Sequence, residues 1–174
     1  MTLSCKVCGK KTVPAGQSAE RSITCGICAA CSLAVSSESS KSELLEAIDA
    51  PILLMQGNPR LVITANRRAL DLFGKELHEV EGRRGGQVFD CIHSFTEAGC
   101  GKDSNCENCK IKNAIVDTFT TARPHSGVST PLQIKKADGT ETCVLQVSTE
   151  KVGDLALVKI ERYDNAAVLS GRIP

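Results

Sequence analysis

The sequence predicts an α+β fold, an antiparallel sheet flanked by helices, with a small cysteine-rich metal-binding segment ahead of it. Three observations carry this. Runs of strand and helix periodicity follow one another as β-β-α-α-α-β-β-β between residues 42 and 162. Ten cysteines fall into two groups, at 5, 8, 25, 28 and 31 and at 91, 100, 106 and 109, with Cys143 apart. Between the groups, SLAVSSESSKS (residues 32–42) has six serines in eleven positions and no periodicity, a linker composition. The chain therefore divides into a head (1–31), a linker (32–41), a body (42–162) with a cysteine-rich insertion at 91–109, and a tail (163–174).

The body's elements follow in order. Ser42 is placed to cap a helix over SELLEAID, where Leu44, Leu45 and Ile48 share a face and Pro51 forbids continuation. ILLMQ (52–56) and LVIT (61–64) are apolar, β-rich runs separated by Gly57-Asn58-Pro59, a hairpin pattern. Asn66 opens a helix with Ala69, Leu70, Leu72 and Phe73 on one face, ended by Gly74. Short helical turns are expected over 75–90, around Gly82 and Gly85-Gly86. Ile111, Ala114, Ile115, Thr118 and Phe119 repeat at i, i+3, i+4, i+7, i+8, which makes 111–122 the clearest helix. PLQIKK, CVLQVS and LALVKIE then alternate as strands, the first two joined by a turn at Ala137-Asp138-Gly139-Thr140. Cys143 falls on the buried side of its strand.

Composition narrows the function. The 174 residues are 41% hydrophobic and 24% charged, ordinary for a globular chain, with 21 Lys+Arg against 20 Asp+Glu. A net charge of +1 supplies no long-range field for nucleic acid. Aromatics are 3%, so the core must be aliphatic. No apolar run reaches the roughly 20 residues that cross a bilayer. MTLSCKVCGKK lacks the apolar stretch of a secretory signal, so the expected location is the cytoplasm. There thiols stay reduced, and ten of them point to metal or redox chemistry.

Cys91, Cys100, Cys106 and Cys109 supply the four thiolates of a tetrahedral zinc site or an iron–sulfur cluster. Cys106-Glu-Asn-Cys109 sits at the start of the long helix, where free N–H groups favour thiolate. Gly99 and Gly101 let the backbone wrap close to a metal, and His93 is near enough in sequence to replace one sulfur. Spacings of nine, six and three favour neither centre strongly; zinc is the leading expectation. In the head, Cys5-Lys-Val-Cys8-Gly9 and Cys25-Gly-Ile-Cys28 form a CxxC…CxxC pair suited to zinc, and Cys31 extends it to a C-x2-C-x2-C run. A segment so poor in apolar residues needs a metal to fold. Cys143 reads as a small buried hydrophobe, Asn66 as a junction or capping amide, His78 and His125 as exposed or turn positions, and Arg83-Arg84 as a solvated pair.

The order of SELLEAIDAPILLMQ, the turn GNPR, LVITANRRALDLFG with its Asn66…Phe73-Gly74 helix, Gly82 in EVEGR and the KADGTET hairpin resembles the PAS sensor family over residues 42–162. The insertion CIHSFTEAGCGKDSNCENC departs from the common pattern and is similar to a Cys…CG…C-x2-C element of some bacterial PAS sensors. The resemblance implies a non-enzymatic sensor or adaptor that signals by contact with a kinase or regulator. It also implies pairing through the helix before the first strand, with Leu44, Leu45 and Ile48 exposed until a homodimer or a complex with another PAS-containing protein covers them. Thiolate ligands make redox or metal state the expected signal. The rivals are a structural, zinc-stabilised interaction module and a thiol oxidoreductase using Cys25 and Cys28. The latter is disfavoured because no βαβ context surrounds the motif.

Overall fold

The structure, a computed structural model, describes residues 3–4, 11–12 and 38–165. Strands β1 (Leu3–Ser4) and β2 (Lys11–Thr12) pair antiparallel, so a short ladder joins the two ends of the segment holding Cys5 and Cys8. Cys5, Cys8, Cys25, Cys28 and Cys31, with most of the linker and tail, lie outside the described residues. The body runs α1 (Glu38–Glu46), β3 (Ile52–Gln56), β4 (Val62–Ala65), α2 (Arg67–Phe73), α3 (Leu77–Val80), α4 (Gly85–Val88), two 3-10 turns (Ile92–Ser94, Ser104–Cys106), α5 (Lys110–Thr121), β5 (His125–Lys136), β6 (Gly139–Val152) and β7 (Leu155–Asn165). The last five strands form one antiparallel sheet in the order β4-β3-β7-β6-β5. No helix among the described residues is long and apolar enough to cross a membrane.

Alternation along the strands gives the sheet two apolar faces. Leu53, Met55, Leu145, Val147, Val158 and Ile160 meet Ala69 and Leu70 of α2, Val80, Val88, and Ile111 and Ile115 of α5. This is the aliphatic core that the composition demands. Three of the few aromatics close one end of it, with Phe73 at 5.3 Å from Phe89 and 5.1 Å from Tyr163 between ring centres. The opposite face carries Ile52, Leu54, Val152 and Leu157, and α1 covers them with Leu45 and Ile48.

That packing corrects two expectations. Leu45 and Ile48 are buried within the chain, at 1% and 2% exposure, and Leu44 is half-buried. The exposed stripe expected to drive pairing is therefore already spent on the sheet's outer face. The helix also starts at Glu38, so Ser42 lies inside it and caps nothing. Smaller differences follow the same logic of packing over local pattern. Leu72 is 37% exposed, because the α2 face turned to the core is that of Ala69 and Leu70. β5 begins at His125, which stands half-buried with Nε2 2.8 Å from Asp117 Oδ2 instead of lying in a turn.

Asn66 fills both roles expected of it. Fully buried, it caps α2 by accepting the Ala69 N–H at 3.1 Å on Oδ1. The same oxygen accepts the Ile52 N–H at 2.9 Å, and Nδ2 donates to the carbonyls of Leu45 at 3.1 Å and Ala50 at 2.7 Å. Four backbone groups from α1, its exit loop, β3 and α2 thus depend on one side chain. Asn66→Ala should destabilise the body by about 3 kcal/mol or more, since several buried groups lose their partner at about 1–3 kcal/mol each. Urea unfolding checks this, and a loss below about 1 kcal/mol would contradict it.

Cys143 is buried on β6, as expected, and burial pushes its thiol from 9.0 up to about 11. The fold favours the protonated form. That contribution is therefore complete below pH 9.0 and is lost as pH rises towards about 11. Cys143 should resist alkylation in folded protein at pH 8 and react once urea unfolds the chain, as peptide mapping would show.

A four-thiol cavity between the long helix and the sheet

Local structure brings the insertion onto the body. Lys75 Nζ donates to the carbonyls of Gln87 and Val88 at 3.0 and 2.9 Å and pairs with Asp90 at 2.7 Å, which holds the end of α4. Asp90 takes a left-handed conformation with φ 56, and the chain turns so that the Cys91 N–H reaches the Gly86 carbonyl at 2.8 Å. Cys91 bridges to Ile134 of β5, and Lys135 N–H donates to Asp90 at 2.8 Å. Gly99 and Gly101, at φ 74 and 82, wrap the loop as expected. Asp103 caps the second 3-10 turn through Asn105 N–H at 2.9 Å, and hydrogen bonds from Asn105 and Thr96 hold its carboxyl below the usual range. Cys109 is the N-cap residue of α5.

The result is a cavity of about 70 Å³ whose wall includes all four thiols, Cys91, Cys100, Cys106 and Cys109. The rest of the wall is chiefly apolar, with Met55, Ile111, Ile115 and Leu145 among its residues, so the thiols face the space between α5 and the inner face of the sheet. Arg60, Arg84 and Lys112 add positive charge to the lining. Gly101 lies close under two of them: a Cβ there would fall 2.8 Å from an Arg60 guanidinium nitrogen and 3.4 Å from one of Arg84. Arg84 is thus half-buried beside Cys100, a correction to its expected solvation.

Two N–H groups point at sulfur. Gly86 donates to Cys100 Sγ at 3.3 Å and Gly101 to Cys106 Sγ at 3.2 Å. Burial pushes the Cys91 thiol up, opposed by the His93 N–H and reinforced by the other three sulfurs. Burial likewise raises Cys100, against the Gly86 N–H and Arg84, with Cys106 and Cys109 adding to the rise. The four sulfurs are therefore close enough to feel one another's charge. Yet among the described residues no three His, Cys, Asp or Glu side chains are grouped as a ready clasp for one metal ion. His93 faces Asp103, with Nδ1 3.7 Å from its carboxylate, and is absent from the cavity wall. Sequence reasoning found the four cysteines by spacing, but not Arg60, Arg84 or Gly86. The last two lie in the Arg-Arg-Gly-Gly run 83–86, a turn signal that carried no hint of its contact with Cys100.

Residues 41–109 match the model of the PAS domain family. The match ends at Cys109, and α5 with β5, β6 and β7 lies beyond it. Among solved structures, the chain is similar to the Rhodobacter sphaeroides LOV protein at 14% identity, covering 71% of this chain and 65% of that one, with a TM-score of 0.49. It thus spans just under two thirds of that protein's length. It is also similar to the photoactive yellow protein domain of the sensor histidine kinase Ppr from Rhodospirillum centenum, at 14% identity over 70% of this chain and 92% of that one, with a TM-score of 0.40. A fungal LOV domain photoreceptor matches at 12% identity over 65% and 74% of the two chains, with a TM-score of 0.43. No curated protein matches the chain.

Gly86 gives the cavity a direct test. A Cβ at this position would stand 2.7 Å from Cys100 Sγ and 3.1 Å from its Cβ, while alanine suits the surrounding helix. Gly86→Ala should leave the far-ultraviolet spectrum unchanged and displace Cys100. Mapped alkylation of reduced, metal-free protein should then show Cys100 reacting several-fold faster, with Cys143 still protected.

Proposed function

We propose that this chain is a PAS-type sensor or adaptor in signal transduction that reads the state of a metal centre held by Cys91, Cys100, Cys106 and Cys109. The observation that carries the reading is the convergence of four thiols, from the end of α4, the glycine loop, the second 3-10 turn and the α5 N-cap, on one cavity beneath the long helix. Four thiolates suit zinc or an iron–sulfur cluster. A metal would reverse the cost that burial puts on ionising Cys91 and Cys100, because its charge stabilises thiolates. Loss or oxidation of the centre would release Cys109 at the head of α5 and Cys91 at its bridge to β5 together. A local chemical event would then alter how the helix packs on the sheet.

The chain in this reading is not an enzyme. Its output is contact with another protein, a signalling kinase or regulator, or with a second copy of itself. The burial of Leu45 and Ile48 moves any such contact away from the core-facing side of α1. A second site, of the zinc type, is proposed at Cys5, Cys8, Cys25 and Cys28, with Cys31 beside it, on their spacing.

Elemental analysis of anaerobically purified protein tests the reading. Cys109→Ser should remove the metal of one site and leave that of the head in place, because the serine-rich linker separates the two. Unchanged metal stoichiometry in Cys109→Ser would overturn the cavity site.

A further inference from the structure

The form of the cavity distinguishes between the two centres that four thiolates can hold, and the argument rests on the reading of these thiols as a metal site. A tetrathiolate zinc ion holds every sulfur at about 2.3 Å and draws all four into one tight tetrahedron, with nothing else inside. The thiols here are spread around a wall. The cavity they help to line measures about 70 Å³, several times the roughly 10–15 Å³ that one water-sized sphere requires. A cluster spaces its ligand sulfurs by the irons and sulfides lying between them. It needs an interior volume that a lone ion would leave void.

The surroundings agree with an occupant of that size and charge. The Gly86 and Gly101 N–H groups already donate to Cys100 and Cys106 sulfurs, and such bonds stabilise cluster thiolates and set their potential. Gly86 brings its backbone so near Cys100 that no side chain fits between them. Arg60, Arg84 and Lys112 stand on the lining, opposite in charge to thiolates. The remaining wall is chiefly apolar, and an apolar shell limits solvent access to a centre. We propose that Cys91, Cys100, Cys106 and Cys109 ligate an iron–sulfur cluster in this cavity, each thiol releasing its proton to solvent as its sulfur binds iron.

The test uses the full chain, purified anaerobically, beside its Cys106→Ser/Cys109→Ser variant. Iron, zinc and acid-labile sulfide are measured with the visible spectrum. The expected result is brown protein with iron and sulfide in matching amounts, both lost in the variant. Zinc without sulfide, lowered by one equivalent in the variant, would overturn the cluster and leave the metal-site reading standing. Metal content equal in the two proteins would overturn both. A second measurement removes dependence on the variant's folding. Metal-free wild-type protein is incubated anaerobically with ferrous iron and sulfide, or with zinc alone, and then alkylated and mapped. Iron with sulfide should protect the Cys91, Cys100, Cys106 and Cys109 peptides at least ten-fold. Protection by zinc alone, with none from iron and sulfide, would overturn the cluster, and protection by neither would overturn the site.

Discussion

The body is organised around one buried amide. Asn66 has no access to water, and each of its polar atoms is committed to backbone. Its oxygen starts α2 and fixes the first residue of β3, while its nitrogen holds the carbonyls at the end of α1 and in the loop that follows. The Asn66 N–H in turn donates to the Ile52 carbonyl at 3.1 Å. An amide is required because two donors' worth of backbone must be accepted and two carbonyls donated to, a combination that a carboxylate cannot supply. This junction sets α1 on one face of the sheet and α2 on the other. The two apolar faces are then covered from a single point.

The thiol cavity depends on that arrangement from the other side. β3 contributes Met55 to the wall and β6 contributes Leu145, while α5 supplies Ile111 and Ile115. The sheet's inner face is the floor on which the insertion closes. Glycine is needed at Gly86 for want of space beside Cys100, and at Gly101 for its φ of 82. The insertion is therefore continuous with the core. Its cysteines stand where an ordinary packed interior would place aliphatic side chains. That placement links the chemistry of four sulfurs to the packing of α5.

Much of the body was legible in the sequence because its determinants are local. The β3–β4 pairing, the Asn66 and Gly74 caps of α2, the periodicity of α5 and the Ala137-Asp138 turn all follow from residues within a few positions of one another. β4 came one residue later than its apolar run suggested. What could not be read depends on distant partners. An amphipathic stripe shows that Leu45 and Ile48 are covered, but not whether a second copy or the outer face of the sheet covers them; here it is Ile52, Leu54, Val152 and Leu157. The spacing of the four cysteines announced a site. Its volume, the approach of Arg60 from the β3–β4 turn and the contact of Gly86 with Cys100 depend on segments brought together only by folding. His93 was singled out by its place in the sequence, and in the fold its Nδ1 lies 3.7 Å from the Asp103 carboxylate.

The central claim is that the state of the four-thiol centre is felt by α5 and its contact with the sheet. Hydrogen exchange of the wild-type chain, compared between metal-loaded and chelator-stripped protein under reducing conditions, tests it most directly. Stripping should speed exchange across residues 91–122 and at the β5 segment around Ile134, with β3 and β7 protected alike in both states. Identical exchange of α5 in the two states, with loss of metal confirmed on the same samples, would contradict the claim.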